Sequence, residues 1–466
     1  MTMANDFQRK LFWVALICFT ILQIFGLFHA ELRMCLDDFA LDIIPFKTIG
    51  YFTPKFRYAY ILNKMLVVVA LYMHLPLRSI SIVYCINDAL FYISIALAII
   101  ILTRRYDYAA VVVVAPVIIQ GWAFYEIICE LYLSGAIMIL FVAVFESMAH
   151  SLLRSFILCL CLMLIIWSHP VMMPILLIFF VSLYTDRSKL WQDWKIIAFA
   201  IINIVIRLTF LCSYDMNKIK GVGHSDFGIH NFTVSMGDYF ISHWPILLCL
   251  LLLVIFSETK SQKRNALISV VIFLCMLPMF LSRMCSGQYY AFDKSMYPAH
   301  LFILTQLIVM ICANVYDIKP TILILLLLLY MTCSSMCELM INEKTYIKRH
   351  ITFVRKINAL CLARSPLQSK WYVINDSLLT SIPFLSSSVK SMYVSAYDDS
   401  PVTVQVVYLN SKEAVHLEEV KQDSIFLSTS GYMAISALDS GYFHIRSGKY
   451  MRLELDTSLI NYWTRQ

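Results

Sequence analysis

Apolar runs of membrane length recur along the first 340 residues, and this leaves few folds open to the chain. Of its 466 residues, 60% are hydrophobic and only 14% charged, with a mean hydropathy of +0.73. A soluble domain is nearer half apolar and a quarter charged, so most of this chain needs a solvent other than water. The first run, from about Leu11 to His29, has no small-residue cleavage site and is followed by many others, which makes it a retained anchor rather than a cleavable signal.

Further spans are expected at about 80–103, 107–123, 131–148, 152–167, 170–184, 195–213, 244–257, 265–282, 299–315 and 320–339, giving about eleven transmembrane helices in all. One apolar stretch is excluded. Only 13 residues separate Lys64 from Arg78, and His74 and Pro76 interrupt them, so this piece suits an interfacial or shallow re-entrant helix.

The basic residues supply an independent check on that exclusion. With Arg9 and Lys10 cytoplasmic, ten later lysines and arginines fall on cytoplasmic ends (Arg104, Arg105, Arg154, Arg187, Lys189, Lys195, Lys260, Lys263, Arg264 and Lys319), against four on outer loops (Lys218, Lys220, Arg283 and Lys294). This agrees with the positive-inside rule, and counting 60–76 as a span would invert it. An odd number of spans then places the tail on the outer side, together with the loops 30–79, 214–243 and 283–298.

Composition shifts near residue 341. A basic, helical stretch to about 366 (Lys344, Lys348, Arg349, Arg355, Lys356) precedes alternating β-rich runs at 402–408, 424–427 and 442–445, separated by Asp398-Asp399-Ser400-Pro401, Asn410-Ser411 and Ser430-Gly431. The expected organisation is a mostly α, polytopic membrane domain over 1–340 and a small extracytoplasmic α/β or β domain over 341–466. Most of the 14 cysteines fall inside spans; Cys35, Cys285 and Cys361 are expected to face outward, with no spacing that specifies a disulfide or zinc site. The net charge of +7 points to anionic lipid head groups rather than nucleic acid.

Functional residues are expected on the outer face. Asp37 and Asp38 stand just beyond the first span, with Asp42 one helical turn further on. Carboxylates here can simply solvate a loop; but the apolar neighbours Leu36, Phe39 and Leu41 favour partial burial, which raises a carboxylate pKa and prepares it as a general base or as a ligand to a divalent cation. Glu126 and Glu130 are spaced i,i+4 at the outer mouth of two spans and form a second acidic site. Arg207, deep in a span, needs an anion: either a carboxylate such as Asp88 or Glu130, or a substrate phosphate. Lys55, Arg57, Arg283, Lys294, His169 and His300 are further outer-face groups able to hold an anionic head group, although each alone fits a snorkelling surface residue.

This layout resembles the GT-C superfamily of integral membrane glycosyltransferases. The resemblance rests on Asp37-Asp38 after the first span, the run from Pro54-Lys55-Phe56-Arg57-Tyr58 to Arg78, the pair Arg104-Arg105 closing the second span, and Glu130 (or Glu126) at the outer start of the fourth. It covers the first 150 residues reasonably and the rest in outline.

It implies transfer of a sugar, with inversion, from a polyprenyl-phosphate donor to a glycan, lipid or protein acceptor. On that reading Asp37 or Asp38 is the base, and Arg207 or Arg283, helped by Lys55, Arg57 or Lys294, meets the leaving phosphate. The location implied is a bacterial inner membrane with the site facing the exterior. The alternatives are an O-antigen or capsule polymerase and a transporter or flippase. Reporter fusions placed beside residues 37–38 and at the C-terminus are expected to report the same, non-cytosolic compartment; opposite sides would end this reading.

Overall fold

The computed structural model describes residues 2–35, 62–119, 124–125, 130–168, 172–183, 193–210, 244–284, 290–313, 318–374, 388–409, 417, 423–428 and 431–455. Over the first two thirds these are helices: α1 (Thr2–Phe28), α2 (Ala30–Cys35), α3 (Met65–Tyr72), α4 (Leu77–Thr103), α5 (Tyr106–Ile118), α6 (Glu130–Ser147), α7 (Leu152–Ile166), α8 (Met172–Leu183), α9 (Trp194–Thr209), α10 (Trp244–Ile255), α11 (Lys260–Met284), α12 (Tyr290–Ala313) and α13 (Ile318–Cys337). Each segment read as a span overlaps one of them. Among the described residues, three helices are long and apolar enough to cross a membrane, over Asn5–Phe28, Leu77–Thr103 and Ile324–Arg364. Other apolar helices are shorter, so the architecture is mostly helical, and the eleven expected spans do not all reach crossing length among the described residues.

α3 bears out the excluded stretch as too short to span. Its eight residues cover about 12 Å, far less than the ~30 Å of a hydrocarbon core. His74, at a left-handed φ of 52°, and Pro76 end it. Asn87 of α4 accepts from the Leu66 amide (3.2 Å) and so docks the start of α3 on α4.

The centre of the bundle is α5. Its Val-rich run is buried from Asp107 to Ile118, and a helix apolar on every side must be enclosed by others. Close approach elsewhere uses a glycine: a Cβ on Gly135 of α6 would lie 2.5 Å from the Tyr297 ring of α12, whose ring meets Tyr132 edge-on at 4.3 Å.

Polar contacts give the helices alternating directions and the bundle two distinct ends. At one end, Arg9 lies over the Tyr106 ring, Arg105 pairs with Asp107 (2.7 Å), and Arg154 pairs with Asp193 (2.7 Å) while donating to the Phe145 carbonyl. Several of the basic residues read as cytoplasmic are thus gathered in one place. Arg104 turns the chain there at φ 59°, with its amide on the Ile100 carbonyl.

The tail begins without a break in the helix. α13 passes through a π-helical turn (Glu338–Glu343) into α14 (Lys344–Arg364), so one helix crosses the compositional boundary near residue 340. A π-turn frees backbone carbonyls from the regular ladder, and the Tyr125 hydroxyl donates to one of them, on Leu339 (2.6 Å). Beyond it come β1 (Lys370–Ile374), α15 (Ser388–Tyr397), β2 (Gln405–Leu409), β3 (Ile425–Ser428), β4 (Gly431–Ala434) and β5 (Met451–Arg452). β1 is central in a parallel sheet of order β2-β1-β5, with Lys370 opposite Gln405, and β3 and β4 form an antiparallel hairpin.

This is the mixed α/β alternative, with two departures from the sequence reading. β1 went unrecognised, because Lys370-Trp371-Tyr372-Val373-Ile374 has no alternation: both of its faces are covered. The run 442–445 is not a strand; His444 exchanges two bonds with Thr403 (3.2 and 2.8 Å) in place of a ladder. Cys361, expected to face outward, is buried under the tail.

Lys370 is buried in that sheet, its Nζ donating to the Ile425 carbonyl (2.9 Å). Burial lowers its pKa to about 8, against a smaller upward pull from Asp423. An unfolded lysine titrates near ~10.4, so the unfolded chain binds more protons between the two values and stability rises with pH across that window. Hydrogen exchange over 370–374 is expected to slow from pH 8 to pH 10 once corrected for intrinsic rates, and Lys370→Met should remove that dependence.

Candidate functional site

The opposite end of the bundle holds the root of the first long loop. α2 is only six residues long, and it is tied down from two sides. Arg33 points inward and is 1% exposed. Its Nη2 pairs with Asp88 of α4 (3.0 Å), its Nη1 donates to Gln23 of α1 (2.9 Å), and its Nε donates to the Phe124 carbonyl (2.9 Å). The guanidinium also lies 4.2 Å from the Phe124 ring centroid. A Cβ on Gly26 would stand 2.9 Å from Arg33 Nη1 and 3.0 Å from Phe124, so glycine leaves the room this cluster fills.

On its outer side α2 carries Glu31, whose carboxylate meets Arg355 of α14 at 2.5 Å. Arg355 holds Asp398 bidentately as well, with both bonds at 2.7 Å. Burial pushes the Glu31 pKa up, and Arg355 opposes that shift. More of the tail docks beside this point: Arg78 donates to the Tyr397 carbonyl (3.1 Å), Ser81 shares a hydrogen bond with Tyr393 (2.7 Å), and the Tyr442 hydroxyl donates to the Leu75 carbonyl (3.1 Å). The segment that ends at Cys35 is therefore clamped between bundle and tail immediately before Asp37 and Asp38.

Of the residues singled out from the sequence, Asp37, Asp38, Lys55, Arg57, Glu126 and His169 lie outside the described residues. Glu130 opens α6, and Arg283 and Lys294 lie in the helices flanking the 285–289 connection. Helix direction carries all three backbones toward the clamped end: α6 finishes among the opposite-end charges at Glu146, and Asn265 near the start of α11 bonds Gln306 near the end of α12.

Arg207 is also carried there. α7 and α9 run parallel, joined at one end by Arg154–Asp193 and toward the other by the Trp167 indole donating to Asn203 (3.2 Å). The Arg207 side chain is fully buried, donates to the Phe210 carbonyl (3.1 Å), and lies 5.7 Å from the Trp167 ring centroid. Asp88, one of the two carboxylates expected to pair with it, is engaged by Arg33 instead. His300, read as an outer-face group, is 1% exposed and enclosed in α12 one turn from Tyr297.

Sequence reasoning missed the role of Arg33. The signal was there: Asp88 is the one acidic residue in the apolar run of α4, so a cation had to be near it, and Arg33 stands four residues before Asp37. Among the described residues, no three His, Cys, Asp or Glu are grouped as metal ligands. Set against protein-family models, curated proteins and solved structures, the chain matches none of them.

Removing one partner of a buried pair strands the other charge, at a cost of about 3–5 kcal/mol, whereas an apolar replacement of both is close to neutral. Arg33→Met is accordingly expected to lower the melting temperature sharply, and Arg33→Met with Asp88→Leu to restore most of it. Equal loss in the single and double variants would show that the pair is not the source of the effect.

Proposed function

We propose that the chain is a multi-pass membrane glycosyltransferase, with about eleven spans, that moves a sugar from a polyprenyl-phosphate donor to a glycan, lipid or protein acceptor on the extracytoplasmic face. The observation that carries this reading is the clamp on α2: Arg33–Asp88 and Glu31–Arg355 fix the root of the Asp37-Asp38 loop at the end of the bundle where Arg207 and the folded tail also lie. The basic residues collected at the other end support assigning that end to the cytosol and the clamped end to the outside.

In this scheme Asp37 or Asp38 takes the proton of the acceptor hydroxyl, and the acceptor oxygen attacks the anomeric carbon. The bond to the phosphate oxygen breaks on the opposite face, so a single displacement inverts the centre. Fixed cations meet the charge that develops on the departing phosphate; Arg283 and Lys294 sit on helices that reach this end. A rigid loop root matters because a base has to lie within hydrogen-bond reach of the acceptor hydroxyl in the reactive complex. If a divalent cation takes part, Asp37 and Asp38 are the residues that would hold it, where it would polarise the phosphate. The clamp also counts against a transport path through Asp88, whose carboxylate is closed off by Arg33 and Phe124.

General-base catalysis typically contributes about 10²–10⁴-fold in rate. Asp37→Asn and Asp38→Asn are expected to leave the protein inserted, with at least one single variant, and the double variant, losing transfer on that scale. Mass spectrometry of surface glycans from cells with and without the gene supplies the readout and names the added sugar. Wild-type glycans in the deletion strain, or full transfer by the double variant, would refute the assignment.

A further inference from the structure

One cluster at the clamped end is unused by this scheme. The His29 ring stacks on Phe25 with centroids 4.4 Å apart, and its Nδ1 is bonded to the Phe25 carbonyl at 3.0 Å. Lys344, the first residue of α14, places its Nζ 5.4 Å from the same Phe25 ring. Lys348 follows one turn later on the same face of α14. Burial lowers the His29 pKa, and the charges of Lys344 and Lys348 act in the same direction.

Like charges held together need an anion. Further along this face of α14, Arg355 has two, Glu31 and Asp398. Neither Lys344 nor Lys348 has a carboxylate partner among the described residues.

An exposed apolar face of α1 leads up to this cluster. Trp13, Ile17, Ile21, Ile24 and Phe28 recur at helical spacing, and Phe28, beside His29, is 82% exposed. The cluster therefore sits where a hydrocarbon-facing surface ends and a positively charged one begins.

We propose that Lys344 and Lys348, beside His29, bind the phosphate monoester head of a membrane lipid whose chain lies along the exposed face of α1. Two ammonium groups suit a monoester, which carries about −1.5 to −2 charges near neutrality, better than the single charge of a phosphodiester. The apolar face favours a lipid over free phosphate. The site deepens the proposed function, on which it rests only for the identity of the lipid: a polyprenyl phosphate is such a monoester, and phosphatidic acid is another.

The test is a titration of the full-length protein in detergent with polyprenyl monophosphate, phosphatidic acid, phosphatidylglycerol and inorganic phosphate, read by native mass spectrometry. At roughly 1 kcal/mol per lysine, the variant carrying Lys344→Gln and Lys348→Gln is expected to bind the monoester lipids at least about tenfold more weakly. The corresponding double arginine variant should bind within a few-fold of wild type, and all three proteins should melt alike. If the double glutamine variant fails to insert, Lys348→Gln alone, at an exposed position, carries the same comparison.

Wild-type affinity in the glutamine variants, equal binding of phosphatidylglycerol, or inorganic phosphate binding as tightly as the lipids would each overturn the site. Tighter binding of polyprenyl phosphate than phosphatidic acid joins the site to the lipid phosphate released by sugar transfer. The reverse order keeps the site but assigns it to a phospholipid. Because the readout is binding, it stands whatever happens to sugar transfer in the Asp37 and Asp38 variants.

Discussion

The pairing of Arg33 with Asp88 is the constraint on which the upper half of this molecule depends. Each charge is costly to remove from water, and each is tolerable only because the other is there. Arg33 also satisfies Gln23 and the Phe124 carbonyl, so one guanidinium joins the end of α1, the middle of α4 and the segment between α5 and α6. Such a junction has few alternative arrangements, since any displacement of α2 leaves several buried polar groups unmatched at once.

The tail is hung from the same point. Arg355 is shared between Glu31 and Asp398, and Arg78, Ser81 and Leu75 receive α15 and Tyr442 nearby. The uninterrupted helix from Ile318 to Arg364 is the covalent counterpart of this docking. Its π-turn, held through Leu339 by Tyr125, shifts which side chains face the bundle where the composition changes from apolar to basic. Above that turn, Lys344 lies over the Phe25 ring and Arg355 meets Glu31 at the root of the first loop.

These features bear on function through rigidity and charge. The chain leaves α2 at Cys35 from a short segment clamped on both sides, by Asp88 of the bundle and Arg355 of the tail. The charges differ between the two ends: one end collects arginines paired with Asp107, Glu146 and Asp193, and the other combines the buried Arg33–Asp88 pair with Lys344 set over the Phe25 ring.

By itself the sequence determined the mostly helical character of the chain and the rough position of nearly every helix, because the length of an apolar run and the spacing of charges are local properties. It also determined that α3 is too short to cross a membrane, since His74 and Pro76 act on their own backbone. Only the tertiary structure decided partners. That Asp88 belongs to Arg33 and not to Arg207, that His300 and Cys361 are enclosed, and that β1 lies at the centre of a parallel sheet all depend on residues distant in the chain. A buried charge announces in sequence that it needs a partner, but its solvation is settled by whichever opposite charge the packing of helices brings within about 3 Å.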